Sequence, residues 1–103
     1  MLYYKLVRDK IPEIIEKSGK VPLIAILSDD YYEIFLERKL NEEVKEYQES
    51  KNPTELADIL EVIISLAKVK GYDFQDLIDL QTQKATERGG FSKKILLKAV
   101  CED

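Results

Sequence analysis

The sequence predicts an all-α fold, a single compact domain of about four helices spanning residues 1–103. Three observations predict it. Apolar residues recur at helical spacing along two long stretches, start signals precede each stretch, and glycines follow the later helical segments. The composition, 45% apolar and 35% charged, belongs to a folded chain rich in ionised side chains. A chain of this size buries somewhat more than about 60% of its unfolded surface, enough for a core that a partner subunit can readily complete.

The elements follow in order. Asp9 is placed to cap a short helix near residues 10–17, with Pro12 tolerated in its first turn and Gly19 as its stop. Residues 21–27, Val-Pro-Leu-Ile-Ala-Ile-Leu, read as an apolar connector or a short strand, which periodicity alone does not separate. Ser28 followed by Asp29 and Asp30 opens a long helix running to Glu49 or Ser50. Asn52-Pro53-Thr54-Glu55 is the next start signal, and that helix ends at Gly71. Asp73 or a neighbour opens the last helix, closed by Gly89-Gly90. Beyond it, residues 93–99 form a short strand or a packed extended tail. There is no repeat, linker or low-complexity segment.

Composition excludes several function classes. The net charge of −4 speaks against nucleic-acid binding by bulk electrostatics, which calls for a basic face. No stretch reaches the roughly 20 apolar residues of a membrane span, and residues 1–10 carry charges where a signal peptide needs an apolar core. The single cysteine, Cys101, makes no internal disulfide, so a reducing cytoplasm is the expected setting. Histidine is absent. That removes Ser-His triads and imidazole metal sites, leaving carboxylates, amines, hydroxyls or a hard metal ion to do any chemistry.

The acids are the most informative feature. At about 100° per residue, Glu43 falls about 40° from the centre of the stripe formed by Tyr32, Leu36, Leu40, Val44 and Tyr47. Glu46 lies on its flank one turn along. In the next helix Leu56, Ile59, Leu60, Val62, Ile63, Ile64, Leu66 and Ala67 cover more than half the circumference, so a largely buried helix is expected. Glu55 projects between the directions of Val62 and Leu66, and Asp58 sits about 60° to one side. Two antiparallel helices thus each direct an i, i+3 carboxylate pair toward the core.

Like charges at about 4 Å repel by roughly 4 kcal/mol at an effective dielectric of 20, and burial adds several kcal/mol per ion. Protonation, an inserted Lys or Arg, or a divalent metal relieves this. All-oxygen ligation favours Mg²⁺ or Mn²⁺, with Ca²⁺ the rival. The plainer reading makes Glu42, Glu43 and Glu46 solvated charges paired with Arg38, Lys39 or Lys45, makes Glu55 the capping-box partner of Asn52, and pairs Asp58 with a lysine. Glu61, one turn beyond Asp58, points further from the stripe. Tyr31, Tyr32, Phe35 and Tyr47 read mainly as core or interface aromatics, with base stacking open to any one of them.

Glu42-Glu43-x-x-Glu46 followed by Glu55-x-x-Asp58 resembles the signature of the MazG-type all-α nucleoside triphosphate pyrophosphohydrolases. The run from Tyr4 to Pro12 is similar to the start of a small single-domain branch described as house-cleaning enzymes, and so is Lys84-Ala85-Thr86-Glu87-Arg88-Gly89-Gly90-Phe91. The resemblance implies Mg²⁺-dependent hydrolysis of a nucleotide between its α- and β-phosphates, releasing a monophosphate and pyrophosphate. It places the metal on Glu43, Glu46, Glu55 and Asp58, with Glu42 a weaker candidate, and catalysis on Glu43 and Glu46. A carboxylate not fully engaged with metal would orient a water or accept its proton. Arg8, Lys84 and Arg88 are the candidate phosphate contacts, ahead of Lys5 and Lys10. The longer MazG proteins carry Asn two residues before this lysine and an aromatic just after it, where this chain has Thr82 and Ala85. The resemblance also implies a homodimer or homotetramer. A phosphoribosyl-ATP pyrophosphohydrolase and a non-catalytic helical association module are the two alternatives.

Overall fold

A computed structural model describes residues 3–102. Four helices form: α1 (Ile11–Lys17), α2 (Asp29–Ser50), α3 (Thr54–Val69) and α4 (Phe74–Arg88). No strand occurs among the described residues, so the fold is all-α as expected. Residues 21–27 and 93–99, open between strand and extended chain, are irregular. They have no neighbouring strand to share a ladder with, and Leu23 is 94% exposed.

The long helices start where the polar signals stand. The Ser28 hydroxyl accepts from the Tyr31 N–H at 3.4 Å, so Ser28 caps α2. Asp73 and Asp76 form a reciprocal capping box at the head of α4. The Asn52 side chain accepts from the Thr54 N–H at 3.0 Å and hydroxyl at 2.9 Å. The Asn52 N–H itself goes to the Ser50 hydroxyl, so Glu55 is not held in a capping box.

Asp9 is a correction. The cap position of α1 belongs to Lys10, which lies in the helical region and makes no side-chain cap bond. The chain enters α1 through a backbone turn instead, Ile11 N–H to Arg8 carbonyl at 3.0 Å. Gly19, at φ +88°, provides the left-handed step that an L side chain resists after the helix stops.

Helices α2 and α3 pack as antiparallel neighbours joined by the turn at residues 51–53. Lys70, at the end of α3, reaches Glu33 near the start of α2 at 3.1 Å, which fixes their relative direction. Leu36, Val62 and Leu66 form the buried core, and Leu6, Tyr32 and Leu40 pack against it. Among the described helices, α4 packs against α3 alone. The expectation that α3 is largely buried is corrected: Val62, Leu66 and Ala67 are buried, whereas Leu56 and Leu60 are nearly half exposed. The reason is that α2 covers one side only. The radius of gyration is 18.6 Å, against about 13 Å for a closed globule of this length. A long apolar surface is left open.

Candidate metal centre

The pairing of α2 with α3 gathers the acids at one end of the helix pair. Glu42, Glu43 and Glu46 on α2 place one carboxylate oxygen each within 4.8 Å of one another. Glu43, Glu55 and Asp58 do the same across the two helices. Glu43 belongs to both groups. It is also the buried acid, only 7% exposed, because its helix position lies inside the apolar stripe next to Leu36 and Leu40.

One oxygen of Glu43 faces the Lys39 ammonium at 3.2 Å. The other, Oε2, is buried and has no hydrogen-bond partner among the described residues. A buried acceptor left without a donor costs about 1–3 kcal/mol, and more when charged. Lys39 also approaches Glu42 at 3.4 Å. Burial works against the Lys39 charge, but the bond to Glu43 and the charges of Glu42 and Glu43 outweigh it and hold the ammonium above the usual lysine range. The charge of Glu43, followed by burial, a hydrogen bond to Glu43 and the charges of Glu42 and Glu55, pushes Glu46 above the usual carboxylate range.

A hard divalent cation fits this donor set. Mg²⁺ takes six oxygens at about 2.1 Å, so opposed ligands stand about 4.2 Å apart, close to the spacing already present. Glu43, whose Oε2 has no donor among the described residues, is the member the two groups share, and a cation bound there would give that oxygen a partner.

Of the four residues expected to hold metal, Glu43 sits with Glu46 in one group and with Glu55 and Asp58 in the other. Glu42 joins the first group as fully as Glu46 does. Glu61 stands outside both groups, exposed, with its backbone carbonyl accepting from Ser65. Arg8 reaches the site, but on a carboxylate: its guanidinium meets Asp58 at 2.8 Å. Lys5 comes within 3.8 Å of Glu42. Lys84 and Arg88 are exposed at the end of α4 and make no ion pair or hydrogen bond to the cluster among the described residues. Lys39 is the participant that the acid pattern understated; its signal was the i, i+3 and i, i+4 spacing to Glu42 and Glu43.

Among curated proteins, an uncharacterized protein of Mycolicibacterium smegmatis is 57% identical over 42 residues. The likeness spans 41% of this chain and 43% of that protein, less than half of either. No protein-family model matches the chain. No solved structure matches it.

Proposed function

We propose that the protein is a Mg²⁺-dependent nucleoside triphosphate pyrophosphohydrolase, cleaving between the α- and β-phosphates to give a monophosphate and pyrophosphate. The observation that carries this is the buried, donorless Glu43 Oε2 at the junction of two carboxylate groups. The motif resemblance supplies the reaction class.

Glu43, Glu46, Glu55 and Asp58 would hold the ion, with Mn²⁺ able to replace Mg²⁺ and Glu42 at the margin. Bound there, the ion would neutralise phosphate oxygens and lower the pKa of a coordinated water. Glu43, buried where α2 meets α3, would hold the ion in a fixed place. Glu46, on the same helix face but exposed, has access to water and can orient it or accept its proton. Arg8 stands at the rim on Asp58, within reach of a phosphate once that carboxylate turns to metal. The open side of α3 is covered by a second copy, in a homodimer or homotetramer acting in the cytoplasm.

The test is pyrophosphate release from a broad panel of canonical and modified nucleoside triphosphates with Mg²⁺, wild type against Glu43→Gln. Turnover that falls at least about 100-fold in the variant is expected, matching loss of a metal ligand. No turnover of any nucleotide, together with no melting shift from Mg²⁺ or Mn²⁺, defeats the proposal. Turnover of phosphoribosyl-ATP alone redirects it to that substrate.

A further inference from the structure

Beside the acids lies a hollow of about 210 Å³ lined by Tyr4, Lys5, Leu6, Phe35, Arg38, Lys39 and Glu42. Two of its residues belong to the candidate metal centre as well. Glu42 is a member of the first carboxylate group, and Lys39 bridges Glu42 and Glu43. The hollow and the acids are therefore one continuous surface, charged oppositely at its two ends.

Its lining is cationic in a protein whose net charge is −4. Lys5, Arg38 and Lys39 face a single carboxylate, Glu42, and that carboxylate is shared by both lysines. Arg38 has no carboxylate partner among the described residues. Its guanidinium lies 4.9 Å from the centre of the Phe35 ring. The guanidinium can rest on the ring without using its N–H donors. Such an unpaired group suits a bidentate phosphate contact. Tyr4, at the rim, adopts φ +46°, a left-handed conformation uncommon for a bulky residue and often found at ligand sites.

Size and chemistry narrow the ligand. Pockets for drug-sized molecules span about 300–1,000 Å³. This one is too small for a whole nucleotide and accommodates one end of it. Of the two aromatic rings in the lining, Phe35 is engaged by Arg38 and Tyr4 stands at the rim, 82% exposed, so the cationic interior suits phosphate better than a base. We infer that this hollow binds the phosphate chain of a nucleoside triphosphate, the part released as pyrophosphate, through Arg38, Lys5 and Lys39. This rests on the pyrophosphohydrolase reading for its biological ligand, and it moves phosphate recognition from Lys84 and Arg88 to the N-terminal arm and α2. The α-phosphate then adjoins the acids, and the outgoing phosphates are received by cations that the metal does not occupy.

The experiment is calorimetric titration of the full-length chain with inorganic triphosphate, Mg²⁺ being in excess over it. Wild type is compared with Arg38→Gln, Lys5→Gln and the double variant Lys84→Gln/Arg88→Gln, all checked for unchanged melting temperature. All four positions are exposed, so folding is not at stake. Arg38→Gln should weaken binding at least about tenfold and Lys5→Gln severalfold, with the double variant within twofold of wild type. Arg38→Lys should recover only part of the loss, since it restores charge but not the fork. Absence of triphosphate binding by wild type overturns the inference, as does Arg38→Gln binding within twofold of wild type. Displacement of triphosphate by phosphate-free nucleosides overturns it in favour of a base pocket. If nucleotides turn over while Arg38→Gln binds triphosphate normally, the pocket assignment falls and the enzymatic reading stands. If the expected pattern appears but no nucleotide turns over, the anion pocket stands and the enzymatic reading falls.

Discussion

Lys39 and Glu43, one turn apart on α2, share an ion pair of 3.2 Å that satisfies one carboxylate oxygen and leaves the other buried without a donor. Lys39 is thus the internal counter-charge of the cluster, and a divalent ion would be the external one. Lys39→Met removes the internal one. Breaking a buried pair costs about 3–5 kcal/mol, and slightly less for this pair because the lysine keeps some solvent contact. For a chain of about 100 residues, that lowers the melting temperature by at least about 10 °C without metal. Added Mn²⁺ should recover most of the loss. Differential scanning calorimetry with and without Mn²⁺ checks both parts; an equal loss under both conditions refutes the counter-charge role.

Glu43→Gln tests the centre from the other side. The amide offers a donor to neighbouring carboxylates, so the metal-free protein should melt within a few degrees of wild type or above it. The metal response should vanish. A ligand present at 100 times its Kd stabilises by about 2.7 kcal/mol, and the wild-type shift of about 10–20 °C expected from it is what the variant should lose.

Glu46 gives the pH dependence. Its carboxyl is pushed above the usual carboxylate range, mainly by the charge of Glu43. The folded metal-free protein therefore holds this proton more tightly than the unfolded chain does. Stability is unaffected by Glu46 below the unfolded value, falls as pH rises through the interval up to the folded value, and stays reduced above it. Glu46→Gln should melt higher than wild type at neutral pH and equal to it in strong acid. Melting curves against pH, in chelator, decide this; a variant advantage that grows toward acid contradicts the assigned sign.

Arg8→Gln addresses the pair with Asp58. Both side chains are substantially exposed, so the pair contributes less than about 1 kcal/mol to stability. Its larger effect is competition. Releasing Asp58 should tighten Mn²⁺ binding by up to about fivefold, measured by paramagnetic relaxation or calorimetry. Weaker Mn²⁺ binding in the variant would mean that Arg8 holds Asp58 in its ligating position instead.

Much of this arrangement was legible in the sequence because it is local. Ser28 and Asp73 cap their helices, and Asn52 braces the start of α3 from one residue before its cap position, Pro53, by contacts two or three residues long. The direction of Glu43 follows from helix geometry once Leu36 and Leu40 define the buried face. What was illegible depends on distant packing. Arg8 meets Asp58 across 50 positions, and no spacing rule announces that. Asp9 failed as a cap because the turn from Arg8 to Ile11 closes with backbone bonds alone. Lys84 and Arg88 suit phosphate by type and by helix end, yet neither makes an ion pair or hydrogen bond to the cluster among the described residues.

The exposed apolar surface yields the last prediction. Leu56 and Leu60 lie one turn apart on α3, each nearly half exposed. Ile34 on α2 is similarly open, and Phe91, Ile95, Leu96 and Leu97 beyond α4 are each at least three-quarters exposed. Monomeric proteins rarely leave contiguous apolar patches beyond a few hundred Å² in water. With Leu36, Val62, Leu66 and Ala67 as the only buried apolar residues among those described, the single chain has little to offset its conformational entropy. Self-association along α3 would supply the missing burial and leave the acid cluster on the α2–α3 seam. Sedimentation equilibrium should therefore give a dimer or tetramer, with a melting temperature that rises with protein concentration. Leu60→Lys places a charge in the interface and should shift the species toward monomer, lowering the melting temperature along with it. Leu97→Lys serves as the comparison that separates the helical face from the C-terminal segment. A wild-type monomer whose melting is independent of concentration refutes the association, and dissociation by Leu97→Lys alone moves it to that segment.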